Sequence, residues 1–350
     1  MSVNAHSCEQ AASVPNPMAQ RVSSSAQQYL PFEESLREIE ARIRDLTDFQ
    51  KTHKVDMLLE IESANVKRDK LLEQIYANLT SWQRIQVARH QNRPQTMDYI
   101  ERLCSDFVEL HGDRAFGDDR AIVTGFATIG SKKVMLIGQH KGRDVYERSA
   151  CNFGSPQPEG YRKALWKMRL AEKYRIPIVC LIDTKGAAPA VEAEERGQSQ
   201  AIAYNLMIMS GLKVPIVCAV IGEGGSGGAL GIGVGDRMLI QEYAYFSVIS
   251  PEGCASIIWK DASKKEEAAA ALKITAPELK ALGIMDEIVP EPLGGAHRER
   301  ERAAELLKHA ILQNLSDLER LPLDELLERR YRKIRSYGKY REEVLEAVGA

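Results

Sequence analysis

The stretch VPIVCAVIGEGGSGGALGIGVGD, residues 214–236, joins a continuous apolar run to eight glycines among the fifteen residues from Gly222 to Asp236. A run that is apolar and β-branched at consecutive positions is what a strand covered on both faces of a sheet requires. A near copy, IPIVCLIDT, lies at 176–184, with a helical segment around 193–210 between the two. Strand, helix and strand in that order form a parallel crossover unit. Upstream, AIVTGFATIG (121–130) and KKVMLIG (132–138) read as a hairpin with Gly130 and Ser131 in its turn. PEGYRKALWKMRLAEKYR (158–175) reads as an amphipathic helix with Tyr161, Leu165, Met168 and Ala171 on one face. Downstream, Ser263 with Glu266 and Thr275 with Glu278 have capping-box spacing, and Gly283 is placed to stop the second helix. MDEIV (285–289) is a short last strand, and the chain from His297 is charged and helical. Its basic cluster, Arg329, Arg330, Arg332, Lys333 and Arg335, is interleaved with glutamate and reads as a solvated helix face.

Toward the N-terminus, residues 1–28 are rich in Ser, Ala, Gln and Asn and read as a disordered leader. Phe32, Leu36, Ile39, Ile43, Leu46 and Phe49 then recur at spacings of three and four. With a second helical stretch carrying Leu58, Leu72, Ile75, Leu79 and Trp82, they form a helical hairpin expected to pack on its own domain. The whole divides into a leader (1–28), an N-terminal helical region (29–95), an α/β core (96–295) and a C-terminal helical extension (296–350).

The 350 residues suffice for a sizeable core. A formal net charge of −2 and a pI of about 6.4 lack the basic footprint of a nucleic-acid binder. The six cysteines are scattered without a C-x-x-C pair, which argues against a zinc ribbon in this chain. Cys180 and Cys218 lie inside apolar runs, as buried thiols of a reducing compartment do. The N-terminus lacks a secretory pattern and no run approaches membrane-spanning length, so a soluble cytoplasmic protein is expected.

Three chemistries compete for the glycine stretch. Gly222, Gly224 and Gly227 match the dinucleotide pattern, with Glu242 downstream as its acid, yet that fingerprint ordinarily opens its domain. Gly224, Ser226 and Gly228 match a nucleophile elbow, with Asp286 and His297 following in the order a serine hydrolase needs. A third reading needs no side-chain nucleophile. Bare backbone where a strand enters a helix lets main-chain N–H groups approach a substrate oxygen and hold negative charge there.

Longer motifs then weigh on the choice. The 214–236 stretch, FSVISPEGCASIIWK, GIMDEIVPEPLGGAHR, NFGSPQPEGYRKAL, AEERGQSQAIA, TMDYIERLCSDFVELHGDRAFGDDRAIV and RRYRKIRSYG together resemble the carboxyltransferase alpha subunits of bacterial multisubunit acetyl-CoA carboxylase, over roughly residues 31–342. The resemblance implies a crotonase-like α/β fold of repeated ββα units, with an N-terminal helical hairpin and C-terminal helices. It implies transfer of a carboxyl group from carboxybiotin on a biotin carboxyl carrier protein to acetyl-CoA, forming malonyl-CoA in the first committed step of fatty acid synthesis. ATP is left to a separate biotin carboxylase. It also implies assembly of two alpha with two beta subunits, the beta partner carrying the zinc, with no metal in this chain. On that basis the backbone N–H groups of Gly227, Gly228, Ala187 and Ala188 are the expected oxyanion donors, with Gly224, Gly225, Gly186, Lys141 and Arg143 expected to line the substrate site beside His140.

One loop departs from the family pattern. IDTKGAAPAVEAEERGQ (182–198) stands where the pattern resembles I-D-T-P-G-A-Y-P-G-x-G-A-E-E-R-G-Q, so Lys185 replaces proline, Ala188 tyrosine, and Ala190 and Glu192 glycines. A positive φ at either of the last two would cost about 1–2 kcal/mol. VYERSAC, following HKGRD, also departs from the usual Thr-Lys-rich version. These changes leave a noncatalytic or altered-activity subunit of the same assembly as the alternative, besides the Ser226 hydrolase.

Overall fold

The computed structural model describes residues 28–338, so the expected leader lies outside the described residues except for Gln28. The centre is an eight-stranded sheet: β1 Cys104–Glu109, β2 Ile122–Ile129, β3 Lys132–Gln139, β4 Ile178–Thr184, β5 Ile216–Gly225, β6 Arg237–Gln241, β7 Tyr245–Ser247 and β8 Glu287–Val289. The path runs β1-β2-β3-β4-β5-β6-β8, antiparallel through the first three strands and parallel from β3 onward. β7 stands off this path and pairs with the last residues of β5.

The period-two alternation of a strand accounts for the layers. In β4 and β5, Ile178, Cys180, Ile182, Ile216, Cys218 and Val220 enter one apolar cluster, with Tyr161 and Met168 of the helix Pro158–Tyr174. Val179, Leu181, Val217, Ala219 and Ile221 enter a second on the opposite face. That face is closed by the helices Thr96–Leu103 and Arg300–Glu319 through Tyr99, Leu307, Ile311 and Leu315. Both β4 and β5 are buried along their whole length, as their unbroken apolar runs require.

The N-terminal pair of helices, Glu34–His53 and Leu58–Ala77, packs against the same chain through Leu36, Leu72, Tyr76, Leu79, Val87 and Tyr243. The stripe on the first helix fades outward, with Leu36 fully buried and Phe49 exposed. The second helix ends at Ala77, and Trp82 belongs to a new helix, Ser81–Ala88, capped by Thr80 and Gln83. The Thr275–Glu278 box forms as expected, with Gly283 left-handed beyond it (φ 74°). At 263–266 the expected box does not form: Asp261 accepts the Ser263 N–H instead, because a short 3-10 turn precedes the helix.

The basic cluster near the C-terminus is not uniformly solvated. Arg330, on the helix Leu323–Arg335, is fully buried. Its guanidinium holds both oxygens of Asp236, at 2.8 and 2.7 Å, and donates to the carbonyls of Met209, Leu212 and Val214. Asp236 in turn accepts the Ile216 N–H at 2.7 Å. One arginine thereby fastens the C-terminal helix to the start of β5, while Arg329 and Arg332 pair with glutamates on the exposed face.

Candidate functional site

Two loops at the ends of β4 and β5 meet backbone to backbone. Their register runs Ile182 to Val220 and then Thr184 to Gly224, so β5 uses four residues where β4 uses two. The extra length lifts the end of β5 out of the main ladder, where β7 captures Glu223–Gly225. The chain then turns sharply at Ser226 (φ 52°) into the short helix Ser226–Leu230. A Cβ built on Gly225 would lie 2.2 Å from the Lys185 carbonyl oxygen, and one on Gly228 would lie 2.4 Å from the Ala187 nitrogen. No side chain fits at either position, so the glycines here are a condition of the two loops touching.

Neighbouring groups lock this contact. The Gly228 carbonyl accepts from Gln139 Nε2 at 2.8 Å and from the Tyr161 hydroxyl at 3.1 Å. Thr184 Oγ1 donates to the Gly154 carbonyl at 2.6 Å and accepts the Gly186 N–H at 3.0 Å. The first-turn amides of the 226–230 helix, including those of Gly227 and Gly228, have no acceptor within the helix. Ala188 does not belong with them: it is buried and its N–H is spent on the Pro156 carbonyl at 2.9 Å, while its own carbonyl accepts from Gln198. The substituted loop is also free of the anticipated strain. Ala190 has φ −75° and opens the helix Val191–Glu195, which takes Glu192 into its first turn, so neither residue needs the left-handed region.

Beside the loop contact lies a paired charge cluster. Lys141 Nζ sits 2.6 Å from Asp183 and 2.7 Å from Glu223. Arg89 reaches Glu223 at 2.8 Å, Glu252 at 2.6 Å and the Tyr245 hydroxyl at 2.9 Å. Burial alone would raise the Glu223 carboxyl, but the Lys141 and Arg89 charges outweigh it and hold the group down to about 2. The charge of Lys141 is thus committed to the fold, and its place is to position the ends of β4 and β5. A cavity of about 200 Å³ is lined by Lys141, Asp183, Glu223, Arg89 and Phe153. Arg143 is not among its lining residues: it pairs with Asp98 and lines an adjoining groove of about 1400 Å³, which shares His90, Arg93 and Arg148 with the cavity. His140 is buried against Glu147 at 2.8 Å. Arg89, Asp183, Glu223, Tyr245 and Glu252 escaped the sequence reading; the only available signal was an acid at the end of each of two apolar strands.

The short-motif chemistries do not survive this geometry. Gly222 and Gly224 lie inside β5, not in a loop opening a helix, and Glu242 accepts the Glu291 N–H. Asp286 accepts the Met238 N–H and pairs with Lys333. His297 stacks on His90, ring centroids 3.9 Å apart, so the three presumed hydrolase residues do not assemble. Among the described residues no group of His, Cys, Asp and Glu side chains is gathered as metal ligands, and no helix is long and apolar enough to cross a membrane.

Comparison with known proteins agrees with the long motifs. Residues 29–338 match the family described as acetyl co-enzyme A carboxylase carboxyltransferase-like. The chain is 54% identical over 314 residues to the acetyl-coenzyme A carboxylase carboxyl transferase subunit alpha of Methylococcus capsulatus, covering 90% of this chain and 98% of that one. It is 51% identical over 315 residues to the protein of the same name from Rhodopirellula baltica, with the same coverage. Among solved structures, it resembles a chain of a Pseudomonas malonate decarboxylase hetero-tetramer at a TM-score of 0.53 and 15% identity, over 69% of this chain and 94% of that one. The beta subunit of P. aeruginosa geranyl-CoA carboxylase aligns at a TM-score of 0.51 and 18% identity, over 70% of this chain and 46% of that one, a likeness of fold. The fold is the crotonase-like one of carboxyltransferases, and the chain belongs to the family of acetyl-CoA carboxylase carboxyltransferase alpha subunits.

Proposed function

We propose that this chain is the alpha half of a composite carboxyltransferase that moves a carboxyl group from carboxybiotin on a separate carrier protein to acetyl-CoA, giving malonyl-CoA. The observation that carries the reading is the seat of Gly228 against Gly186 and Ala187, which brings two sets of main-chain amides to one place. Bound biotin supplies the ring nitrogen that carries the carboxyl group and the ureido oxygen on which charge gathers as that group leaves. The chain's task is to hold that charge. Ala187 from one loop, with Gly227 and Gly228 from the other, are the donors we assign, each of a kind whose loss costs about 3–4 kcal/mol in a barrier. Gly186, Gly224 and Gly225 keep the approach bare, and the Lys141 cluster fixes the two strand ends from which the loops spring.

In this reading the acceptor thioester is held chiefly by a beta subunit, and a zinc site, where the assembly needs one, lies on that partner. The relatives' designation as subunit alpha supports a beta partner. A biotin carrier protein, a biotin carboxylase and a cytoplasmic location follow from the same proposal. The test is malonyl-CoA-dependent carboxylation of free biotin by the purified chain, alone and mixed with the beta subunit of the same organism. Transfer in the mixture alone is expected. A stable mixed complex without transfer would favour an altered-activity subunit, and neither complex nor transfer would overturn the reading.

A further inference from the structure

At the mouth of the cavity beside the loop contact, one large apolar side chain is held outward at a conformational cost. Phe153 has φ 53°, between Asn152 at φ 47° and Gly154 at φ 75°. A bulky residue in the left-handed region costs about 1–2 kcal/mol. Such a conformation persists only where the surroundings enforce it. Here they do: Asn152 Nδ2 donates to the Ser155 carbonyl at 2.7 Å, Gly154 N donates to Cys151 at 2.8 Å, and Thr184 Oγ1 holds the Gly154 carbonyl. A Cβ on Gly154 would strike Lys141 Cγ at 2.5 Å, so the turn is also pressed onto the charge cluster. The fold recovers little of this cost from the ring, which remains 56% exposed.

The ring's position indicates its use. It lines the cavity with Lys141, Asp183 and Glu223, and Lys185 Nζ stands 5.9 Å from its centroid. Through Thr184 it is tied to the loop that presents the Ala187 amide. Four of the cavity's charged groups, Lys141, Arg89, Asp183 and Glu223, are already paired with one another, which suits an uncharged polar head beside them. Across the loop, Ala188 is small and buried, so that position offers no ring of its own. We infer that Phe153 is a substrate-binding residue, an aromatic wall on which the apolar face of the bicyclic biotin head packs while its ureido oxygen meets the amides of Ala187, Gly227 and Gly228. The inference rests on the carboxyltransferase reading above and adds the group that fixes the head's orientation.

The test uses the complex with the beta subunit, free biotin and malonyl-CoA, with Phe153→Ala, Phe153→Gly and Phe153→Tyr. The alanine variant is expected to raise the biotin KM at least about fivefold, a loss of the size that ring stacking provides, while the malonyl-CoA KM stays within about twofold. The tyrosine variant restores the biotin KM. Phe153→Gly relieves the backbone, so its melting temperature holds or rises while its biotin KM still rises; a merely structural ring would not separate the two readouts. An unchanged biotin KM in active Ala and Gly variants overturns the inference and leaves the carboxyltransferase reading standing. Loss of the complex with the beta subunit as the sole effect also overturns it, assigning the ring to the partner. Absence of transfer by the unmodified complex overturns the reading and the inference together.

Discussion

The Asp183 carboxylate accepts the main-chain N–H of Glu223 at 2.9 Å, at the point where the registers of β4 and β5 slip. A side chain thus closes the ladder that the slip leaves open, and Lys141 bridges the same two residues through their carboxylates. The cluster is structural in substance and functional in consequence, because both loops of the site begin immediately after it.

Replacing Lys141 by methionine would leave the buried Asp183 carboxylate without its cation, while Glu223 keeps Arg89. A loss of about 3–5 kcal/mol is expected, as when one member of a buried ion pair is removed. Denaturant unfolding measures it, and adding Asp183→Asn, whose amide oxygen can still accept the Glu223 N–H, should recover a substantial part. The pH dependence has a definite sign. The folded chain holds Glu223 at about 2 against an ordinary value of 4.5, so its contribution is fully present above 4.5 and is lost as pH falls toward 2. In Lys141→Met that loss begins at higher pH.

Ser226 occupies the turn at φ 52° with an exposed side chain. Ser226→Gly removes the strain and is expected to stabilise the chain by about 1–2 kcal/mol. Carboxyl transfer by its complex should remain near the unmodified rate. Collapse of the rate would return a chemical role to the hydroxyl.

His297, with the His90 ring stacked on it and likewise lowered by burial, carries acid sensitivity nearer neutrality. Burial, then the neighbouring His90, Arg298, Arg93 and Arg300, lower it from 6.5 to about 2. The unfolded chain takes up the proton near 6.5 while the folded chain refuses it, so stability falls as pH drops below 6.5, by up to about 1.4 kcal/mol per pH unit. Thermal unfolding between pH 6.5 and 5 should be visibly flatter in His297→Gln, in a window above that of Glu223. An unchanged slope would place the sensitivity in another group.

The strands that build the centre were legible because burial on both faces leaves a mark in sequence, the unbroken apolar runs at 176–184 and 214–221. The hairpin was legible from its turn. β1 was not: Cys104–Glu109 is partly exposed along an edge, and its CSDFVE pattern continues the preceding helical text. Nor could Arg330 be told from its neighbours, since its partner Asp236 is 94 residues away and the surrounding charges are solvated. The glycine stretch was legible as bare backbone where a strand enters a helix, but its seat against the 185–187 loop was not, nor which amides were free. Ala188 is occupied because Pro156, on a separate segment, happens to face it. Long-range pairing of this kind decided every part of the site that the sequence left open.

The most direct measurement compares Gly228→Ala with Gly227→Ala in the complex with the beta subunit, under saturating malonyl-CoA and biotin. A methyl at 228 meets the Ala187 nitrogen at 2.4 Å, whereas one at 227 meets Ile202 at 3.9 Å, an ordinary contact. If transfer depends on amides drawn from both loops, Gly228→Ala should lower kcat by about 100- to 1000-fold with the complex intact, the loss expected for a misplaced oxyanion donor, while Gly227→Ala stays near the unmodified rate. Equal and ordinary rates in both variants would contradict the account, for the chemistry would then proceed without the contact on which it is built.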